Sequence, residues 1–325
     1  MNPFSSFFRK KIIGIDIGTS AIKIVELSRM GDATILENYG ELKMTATGED
    51  SLNQKNNGTP SVEYLSLAIK EILRESRIKT KAVVFSIPDF STFCTSFEIP
   101  AMTKEEIPNA ILYSASQYIT LPISEVTLDW QIIPNNPDDK NSSLKVFLVA
   151  MPNQIIEEYK AIALGAGLEI HALEAEVLGI ARALVKDKKM TVCLIDIGAQ
   201  SSTISIVDKG FVKMSYSFSF NSKQLEGKDA VANLKNLLEP LLLEIKNVTG
   251  EFLQKEKKEV QEIYLTGGGA KVTGLKEYFQ ENLKKNTTVP NCFFNVSHTP
   301  SLDGKLKEMA PSFSACVGVA VGVID

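Results

Sequence analysis

Only two histidines, His171 and His298, occur in 325 residues. That leaves little material for a His-ligated zinc or a Ser-His-Asp relay. His171 lies in an apolar stretch between helix-like and strand-like patterns and is read as structural. Cysteine is nearly as scarce. Cys94, Cys193, Cys292 and Cys316 stand far apart without a CxxC pair, and two lie in apolar runs, so buried free thiols are expected rather than disulfides. There is no excess of basic charge: 35 Lys and Arg against 39 Asp and Glu leave −4, so no nucleic-acid footprint is expected. No apolar stretch reads as long as a membrane-crossing helix, and no leader pattern opens the chain. The expectation is a cytoplasmic chain without a transmembrane anchor. With 44% hydrophobic and 23% charged residues, it is long enough for two cores.

What is present centres on residues 11–28, KIIGIDIGTSAIKIVELS. An apolar run carrying one acid, Asp16, meets the corner Gly18-Thr19-Ser20, and a second alternating run follows. Two strands joined by so few small residues predict a tight hairpin. At its tip Gly18 admits a ligand close to the backbone, Thr19 and Ser20 offer donors, and Asp16 can hold a hydrated metal. Lys23 reaches back over the tip toward a phosphate. The pattern is a phosphate clamp on a hairpin, not a GxxxxGK[ST] loop leading into a helix. A plain surface turn also uses Gly-Thr-Ser.

Residues 192–207, VCLIDIGAQSSTISIV, repeat this grammar, with Ile15-Asp16-Ile17-Gly18 matched by Ile195-Asp196-Ile197-Gly198. A third strand is predicted after each hairpin, over Ala33–Lys43 and Phe211–Phe220. Such a long-range duplication points to two similar lobes. A third turn, Thr266-Gly267-Gly268-Gly269-Ala270, lies between a strand and a helix expected to begin near Val272. Three consecutive glycines cost backbone entropy, which implies a close approach there.

Together IDIGTSAIK, DIGAQSS and LTGGGA resemble the two phosphate loops and the adenosine loop of the actin-like ATPase superfamily. Within it the chain resembles the PilM family of type IV pilus assembly proteins, relatives of the division protein FtsA, from about Lys11 to Gly322. The most distinctive segments are VVFSIPDF, EIPAMTKEEIPNAILYSASQYITLPISEV, LDWQII, KVFLVAMP and LEAEVLGIARAL. The resemblance implies an α/β actin-like fold: two duplicated lobes around a nucleotide cleft, with a small α+β subdomain inserted in the first. The expected division is a flexible lead-in over 1–10, a first lobe over 11–88, an inserted interaction subdomain over 89–168, and a second lobe with its connectors over 169–325.

Along the chain, MNPFSSFFRK reads as a disordered lead-in or, alternatively, a weak membrane or partner contact. Residues 45–60 read as a loop, Ser61–Ser76 as an amphipathic helix and Ala82–Ile87 as a buried strand. In the inserted block, Ser91–Ile99 is a strand, and Thr103 with Glu106 forms a capping box opening a helix to about Tyr118. Pro108 is an uncomfortable member of that helix. Strands over Glu125–Ile133 and Ser143–Ala150 and a helix over Gln154–Ala166 complete the block, with Trp130, Tyr113 and Tyr118 expected in its core. Ala230–Phe252 is a helix kinked or restarted at Pro240, and Lys255–Lys258 is a solvated charge run. Ser312–Val323 resembles the superfamily's second interlobe connector. The first connector helix is Glu174–Leu184. It carries Glu176 at the family's connector-glutamate position and Val177 where many relatives have proline. Glu176 would orient a water or metal, or simply sit exposed at a helix start favoured by the dipole.

The resemblance implies ATP with Mg²⁺ as cofactors. Gly18, Thr19, Ser20 and Lys23 would grip one side of the phosphates, and Gly198, Gln200 and Ser201 the other. Asp16 and Asp196 would hold hydrated Mg²⁺, and Gly267, Gly268 and Gly269 would pass beneath adenosine. Hydrolysis is expected to be slow or absent. The expected partner is the N-terminal cytoplasmic tail of a PilN-like inner-membrane protein, with self-association also possible and no nucleic acid. That tail would recruit the chain to the inner face of the membrane. An FtsA-like division filament and a small-molecule kinase are the competing classes.

Overall fold

The structure, a computed structural model, describes residues 10–44, 60–133, 143–220, 222–225 and 235–324. The expected lead-in through residue 9, the loop at 45–59, the turn at 134–142 and the helix start before Lys235 lie outside the described residues.

The first hairpin is β1 (Lys11–Ile17) paired antiparallel to β2 (Ala21–Met30), and β3 (Ala33–Lys43) follows as expected. Ile13, Ile15, Ile22 and Ile24 are fully buried; each such side chain contributes roughly 1.5–3 kcal/mol by leaving water. Helix α1 (Val62–Glu75) starts at Ser61, whose hydroxyl accepts the Tyr64 N–H at 3.2 Å. Its buried face, Leu65, Ala68, Ile69, Ile72 and Leu73, has helical spacing. Strand β4 (Ala82–Ile87) runs parallel to β1.

Next comes the inserted block: β5 (Phe93–Pro100), α2 (Ile107–Ala115), β6 (Val126–Ile133) and β7 (Ser143–Pro152), in a sheet of order β5-β7-β6. Its own core joins Phe97, Ile99, Ile107, Ile111, Val146 and Leu148. Helix α3 (Asn153–Ala166) does not belong to that core, although it was assigned to the block. Tyr159, Ile162 and Ala163 pack instead with α1 and the first sheet. Strand β8 (Glu169–Ala175), assigned to the second lobe, pairs parallel with β4 and extends the first sheet. The first sheet therefore reaches Ala175, past the expected boundary at 168.

Several local expectations are corrected. Glu106 accepts the Thr103 N–H at 2.9 Å, but the Thr103 hydroxyl donates to the same carboxylate rather than capping the helix. The helix starts at Ile107, which makes Pro108 a comfortable first-turn residue, and it ends at Ala115. The expected core aromatics are exposed: Tyr113 at 74%, Tyr118 at 50% and Trp130 at 37%. Helix α2 buries Ile107, Ile111 and Ala115, which leaves Tyr113 on its outer face. Tyr118 stacks on Phe97 at 5.3 Å instead. His171, read as structural, lies exposed on β8.

The second lobe repeats the first. Helix α4 (Glu176–Leu184) leads to β9 (Thr191–Ile197), β10 (Ser201–Asp208) and β11 (Phe211–Ser219). Helix α5 (Lys235–Glu256) then runs through Pro240 without restarting, followed by β12 (Glu262–Thr266). Helix α6 (Leu275–Leu283) begins three residues later than Val272, because a 3₁₀ turn over Gly268–Lys271 and left-handed Gly274 come first. Strand β13 (Asn286–Thr288) completes a sheet of order β11-β10-β9-β12-β13. The supposed charge run is partly paired: Glu256 meets Lys145 at 3.0 Å, and Lys258 binds Asp208.

The chain then returns to the first lobe. Strand β14 (Val296–Ser297) pairs with β3, and α7 (Asp303–Ile324) runs back along β1. With its preceding turn, Pro300–Ile324 is long and apolar enough to cross a membrane, contrary to the sequence expectation, but 72% of its most apolar window is buried in the fold. Helices α4 and α7 cross where Gly179 meets Gly318: a Cβ on Gly318 would lie 1.8 Å from the Gly179 carbonyl oxygen. All four cysteines are free, and Cys193, Cys292 and Cys316 are buried.

Candidate functional site

The two hairpin tips close identically. Gly18 N–H donates to the Ala21 carbonyl and Gly198 N–H to the Ser201 carbonyl, both at 3.0 Å. The register places Lys23 opposite Asp16 and Thr203 opposite Asp196. Because the strands carry their acids to the same end of each sheet, both tips line one cavity of about 450 Å³ between the lobes.

Of the residues expected to form a site, Asp16, Gly18, Thr19, Ser20, Lys23, Glu176, Asp196, Gly198, Ser201, Gly267, Gly268 and Gly269 line this cleft. Gln200 does not. As second loop residue of its tip, it lines a neighbouring cavity of about 620 Å³ beside β5 and β11, which Ser201 also borders. The three glycines serve different ends. Gly267 has φ +82°, and a Cβ there would lie 2.3 Å from Asp196 Oδ1 and 2.6 Å from the Ile197 carbonyl oxygen. A Cβ on Gly269 would strike the Ile197 side chain at 2.4 Å, whereas Gly268 has nothing within 4 Å. Two glycines thus let this turn pack on the second hairpin, whereas Gly268 has open space beside it. Gly267 N–H also donates to the Pro311 carbonyl of α7 at 2.8 Å.

Electrostatically the cleft sets the carboxylates of Asp16, Glu41, Asp89, Glu176 and Asp196 against Lys23, Lys43 and Lys271. Lys23 Nζ lies 2.9 Å from Asp16 Oδ2, both groups largely buried. Burial pulls the Lys23 pKa down, but the charge and hydrogen bond of Asp16 outweigh it and hold it above its ordinary value. Asp196 has no such partner. Burial first, then the charge of Asp16, push it up to about 6 against the opposing pull of Lys23. Glu176, the first residue of α4, is half-buried rather than exposed. Burial and the charges of Asp196, Asp16 and Asp89 raise its pKa well above the carboxylate range.

Of the cleft residues that the sequence reading did not single out, two bear on its chemistry. Asp89, just past β4, is 6% exposed; its Oδ1 accepts the Val177 N–H at 3.1 Å and its Oδ2 has no partner. Burial pushes it up to about 7, opposed by that N–H and reinforced by Asp196. The available signal was Pro88-Asp89 at the end of a strand parallel to β1, which delivers the acid to the same edge as Asp16. The Val177 N–H that holds Asp89 is the donor a proline would lack. The second residue, Lys271, enters the cleft on the 3₁₀ turn after the glycines, its pKa lowered mainly by burial.

An excess of carboxylates over cations favours a cation or a cation-bearing ligand, and the orphaned Asp89 oxygen is a buried acceptor facing that space. Among the described residues no three His, Cys, Asp or Glu side chains converge to ligate a metal directly. The donor set therefore fits a hydrated ion carried in with phosphates, because Mg²⁺ sheds its waters reluctantly.

Comparison with known proteins places this architecture. The family model for type IV pilus assembly protein PilM matches residues 14–227 and 221–323. The solved PilM-PilN type IV pilus biogenesis complex shares the fold at a TM-score of 0.81 and 21% identity, covering 98% of this chain and 100% of that one. The ethanolamine utilization protein EutJ from Carboxydothermus hydrogenoformans is similar at a TM-score of 0.53 and 14% identity, covering 96% and 89%. The fold is that of the actin-like ATPases. With the family model spanning nearly all of it, the chain belongs to the PilM family of type IV pilus assembly proteins.

Proposed function

We propose that this protein is a nucleotide-binding scaffold of type IV pilus assembly, or of a related secretion or competence system, taking ATP with Mg²⁺ in the interlobe cleft. The observation that carries the nucleotide reading is the convergence of two Asp-Gly hairpin tips, Lys23 and the open Gly268 on one cavity. In this reading Gly18, Thr19, Ser20 and Lys23 hold phosphate oxygens from one side, and Gly198 and Ser201 from the other. Asp16 and Asp196 hold the waters of Mg²⁺, with Asp89 as a further acceptor, and the ion supplies neutralisation of phosphate charge. Glu176 positions a water at most, so turnover is slow or absent and nucleotide acts by biasing lobe closure.

The partner is the N-terminal cytoplasmic tail of a PilN-like membrane protein, which recruits the chain to the inner face of the membrane. Its docking on the block from β5 to β7 is supported by Trp130 and Ile132, left exposed on the edge strand β6, where an extended peptide gains backbone hydrogen bonds and side-chain pockets. Titration calorimetry with MgATP tests the first half. Lys23→Ala should weaken binding about ten- to a hundredfold, as expected for loss of a charge-assisted hydrogen bond; unchanged affinity in a folded variant would overturn the clamp. Capture of the tail peptide by intact protein, lost on Trp130→Ala/Ile132→Ala, tests the second. Polymerisation with ATP and indifference to the peptide would favour the division-filament class instead.

A further inference from the structure

Two strands in this fold are the outermost of their sheets and lie beside each other. β5 ends the inserted sheet on the side away from β6, and β11 ends the sheet of the second lobe. They meet at one hydrogen bond. The register of β11 on β10 skips Lys213, which makes a bulge there, and the Ser96 hydroxyl of β5 donates to the Lys213 carbonyl at 2.6 Å. Among the described residues no ladder joins the two strands. The cavity of about 620 Å³ lies between them.

The lining shows which part of each strand the cavity meets. On β5 it touches Phe93, Cys94 and Thr95, and on β11 all five of residues 215–219. Successive side chains of a strand point to opposite faces. A cavity bordered by three or five residues in succession therefore runs along a strand edge, not over one face. Both walls are then free backbone edges, and such an edge is a template for an added strand. At roughly 3.4 Å per residue the β11 wall is about 17 Å long, enough for an extended segment of five residues.

The side chains define what such a segment must carry. Phe90, Tyr118 and Tyr216 border the cavity and remain exposed, so apolar side chains find aromatic surface there. Ser215 and Ser217 already share their hydroxyls with Ser205 and Thr203, at 2.9 and 2.8 Å. That wall offers its backbone in place of those two hydroxyls. Asp89 is the one acid among the lining residues, and no Lys or Arg is among them. At the same wall the Tyr216 hydroxyl donates to Glu251 at 3.1 Å, while Lys145, farther along the inserted sheet, is held by Glu256. Lys213 stands at the bulge. The charge balance along the cavity favours a basic segment over an acidic or phosphorylated one.

We propose that the slot between β5 and β11 takes an extended peptide segment of a protein partner, apolar residues alternating with basic ones, as a strand added to these edges. It lies at the opposite edge of the inserted sheet from β6 and requires neither nucleotide nor the tail placed there. The probe is a library of random hexapeptides, selected on the full chain and counter-selected on Thr95→Trp/Ser219→Trp, which fills the slot from both walls. Matched melting temperatures show that this variant is folded, and Thr95→Trp alone should keep MgATP affinity within about threefold. Selected peptides should carry more lysine and arginine than aspartate and glutamate, and bind the parent at least about tenfold tighter than the double variant. Lys160→Trp, on the exposed face of α3, should bind them as the parent does. Hydrogen exchange should slow at 93–95 and 215–219 but not in β6. N-methylation of alternate peptide amides keeps the side chains and removes donors, at about fivefold in affinity for each hydrogen bond lost. Peptides that bind parent and double variant alike, an acidic selection, protection confined to β6, or full tolerance of N-methylation would each overturn the strand-addition site.

Discussion

The two hairpins share a tetrapeptide and a tip geometry but not the residue that faces the acid. In the first, Asp16 is 4% exposed and paired with Lys23 across the strands. In the second, the register puts Thr203 opposite Asp196, and Thr203 shares its hydroxyl with Ser217 at 2.8 Å. One acid has an ammonium within hydrogen-bond reach; the other has none and is pushed toward neutrality by burial. A duplicated backbone therefore yields an asymmetric site, with one residue opposite each acid deciding the difference. The glycine turn adds to the asymmetry, because Gly267 and Gly269 press on the second hairpin alone.

That comparison breaks most sharply at the ion pair. Lys23→Met should leave Asp16 buried without a cation, costing about 3–5 kcal/mol in urea denaturation. Thr203→Val, at the matching position, should cost about 1 kcal/mol. Similar costs would mean the hairpins are electrostatically equivalent after all. Next in size is the glycine turn. Gly267→Ala forces a Cβ onto Asp196 at positive φ and should destabilise the fold by about 3 kcal/mol. Gly268→Ala should leave stability within about 0.5 kcal/mol while weakening MgATP binding. The reverse ranking would show that the glycines serve the ligand rather than the packing.

The smallest effect is the pH dependence. Asp196 and Asp89 hold their protons to about pH 6 and 7 in the folded protein, against about 4 unfolded. Between pH 4 and 7 the native state therefore binds more protons than the unfolded one, and these groups lower stability as pH rises through that window. Asp89→Asn should flatten the fall by on the order of 2 kcal/mol when denaturation is followed from pH 5 to 8. An unchanged slope would show that Asp89 ionises freely in the cleft.

The hairpins were legible because an apolar run carrying one acid, a glycine corner and a second strand-like run are local signals, needing nothing from the rest of the chain. Strand β8 was hidden, since EIHALEA mixes charge with short apolar pairs and acquires its partner only through β4. Chain order placed α3 in the inserted block, whereas its buried face answers to α1. Aromatic spacing suggests a buried Tyr113 and Trp130, but Tyr113 lies off the Ile107–Ile111–Ala115 face of α2 and Trp130 stands on the edge strand β6. Gln200 and Asp89 erred in opposite directions for one reason: which way a side chain points at a turn is settled by neighbouring strands that the sequence does not display.

The crossing of α4 over α7 has a mechanical consequence. Where Gly179 lies on Gly318, backbone meets backbone, and the Arg182 guanidinium of α4 donates to that same Gly318 carbonyl at 2.8 Å, so the crossing is both close and pinned. Helix α4 carries Glu176 at its cleft end, so a side chain forced between the two glycines would lift a carboxylate of the nucleotide cleft along with the helix, and damage far from the ligand would be felt there.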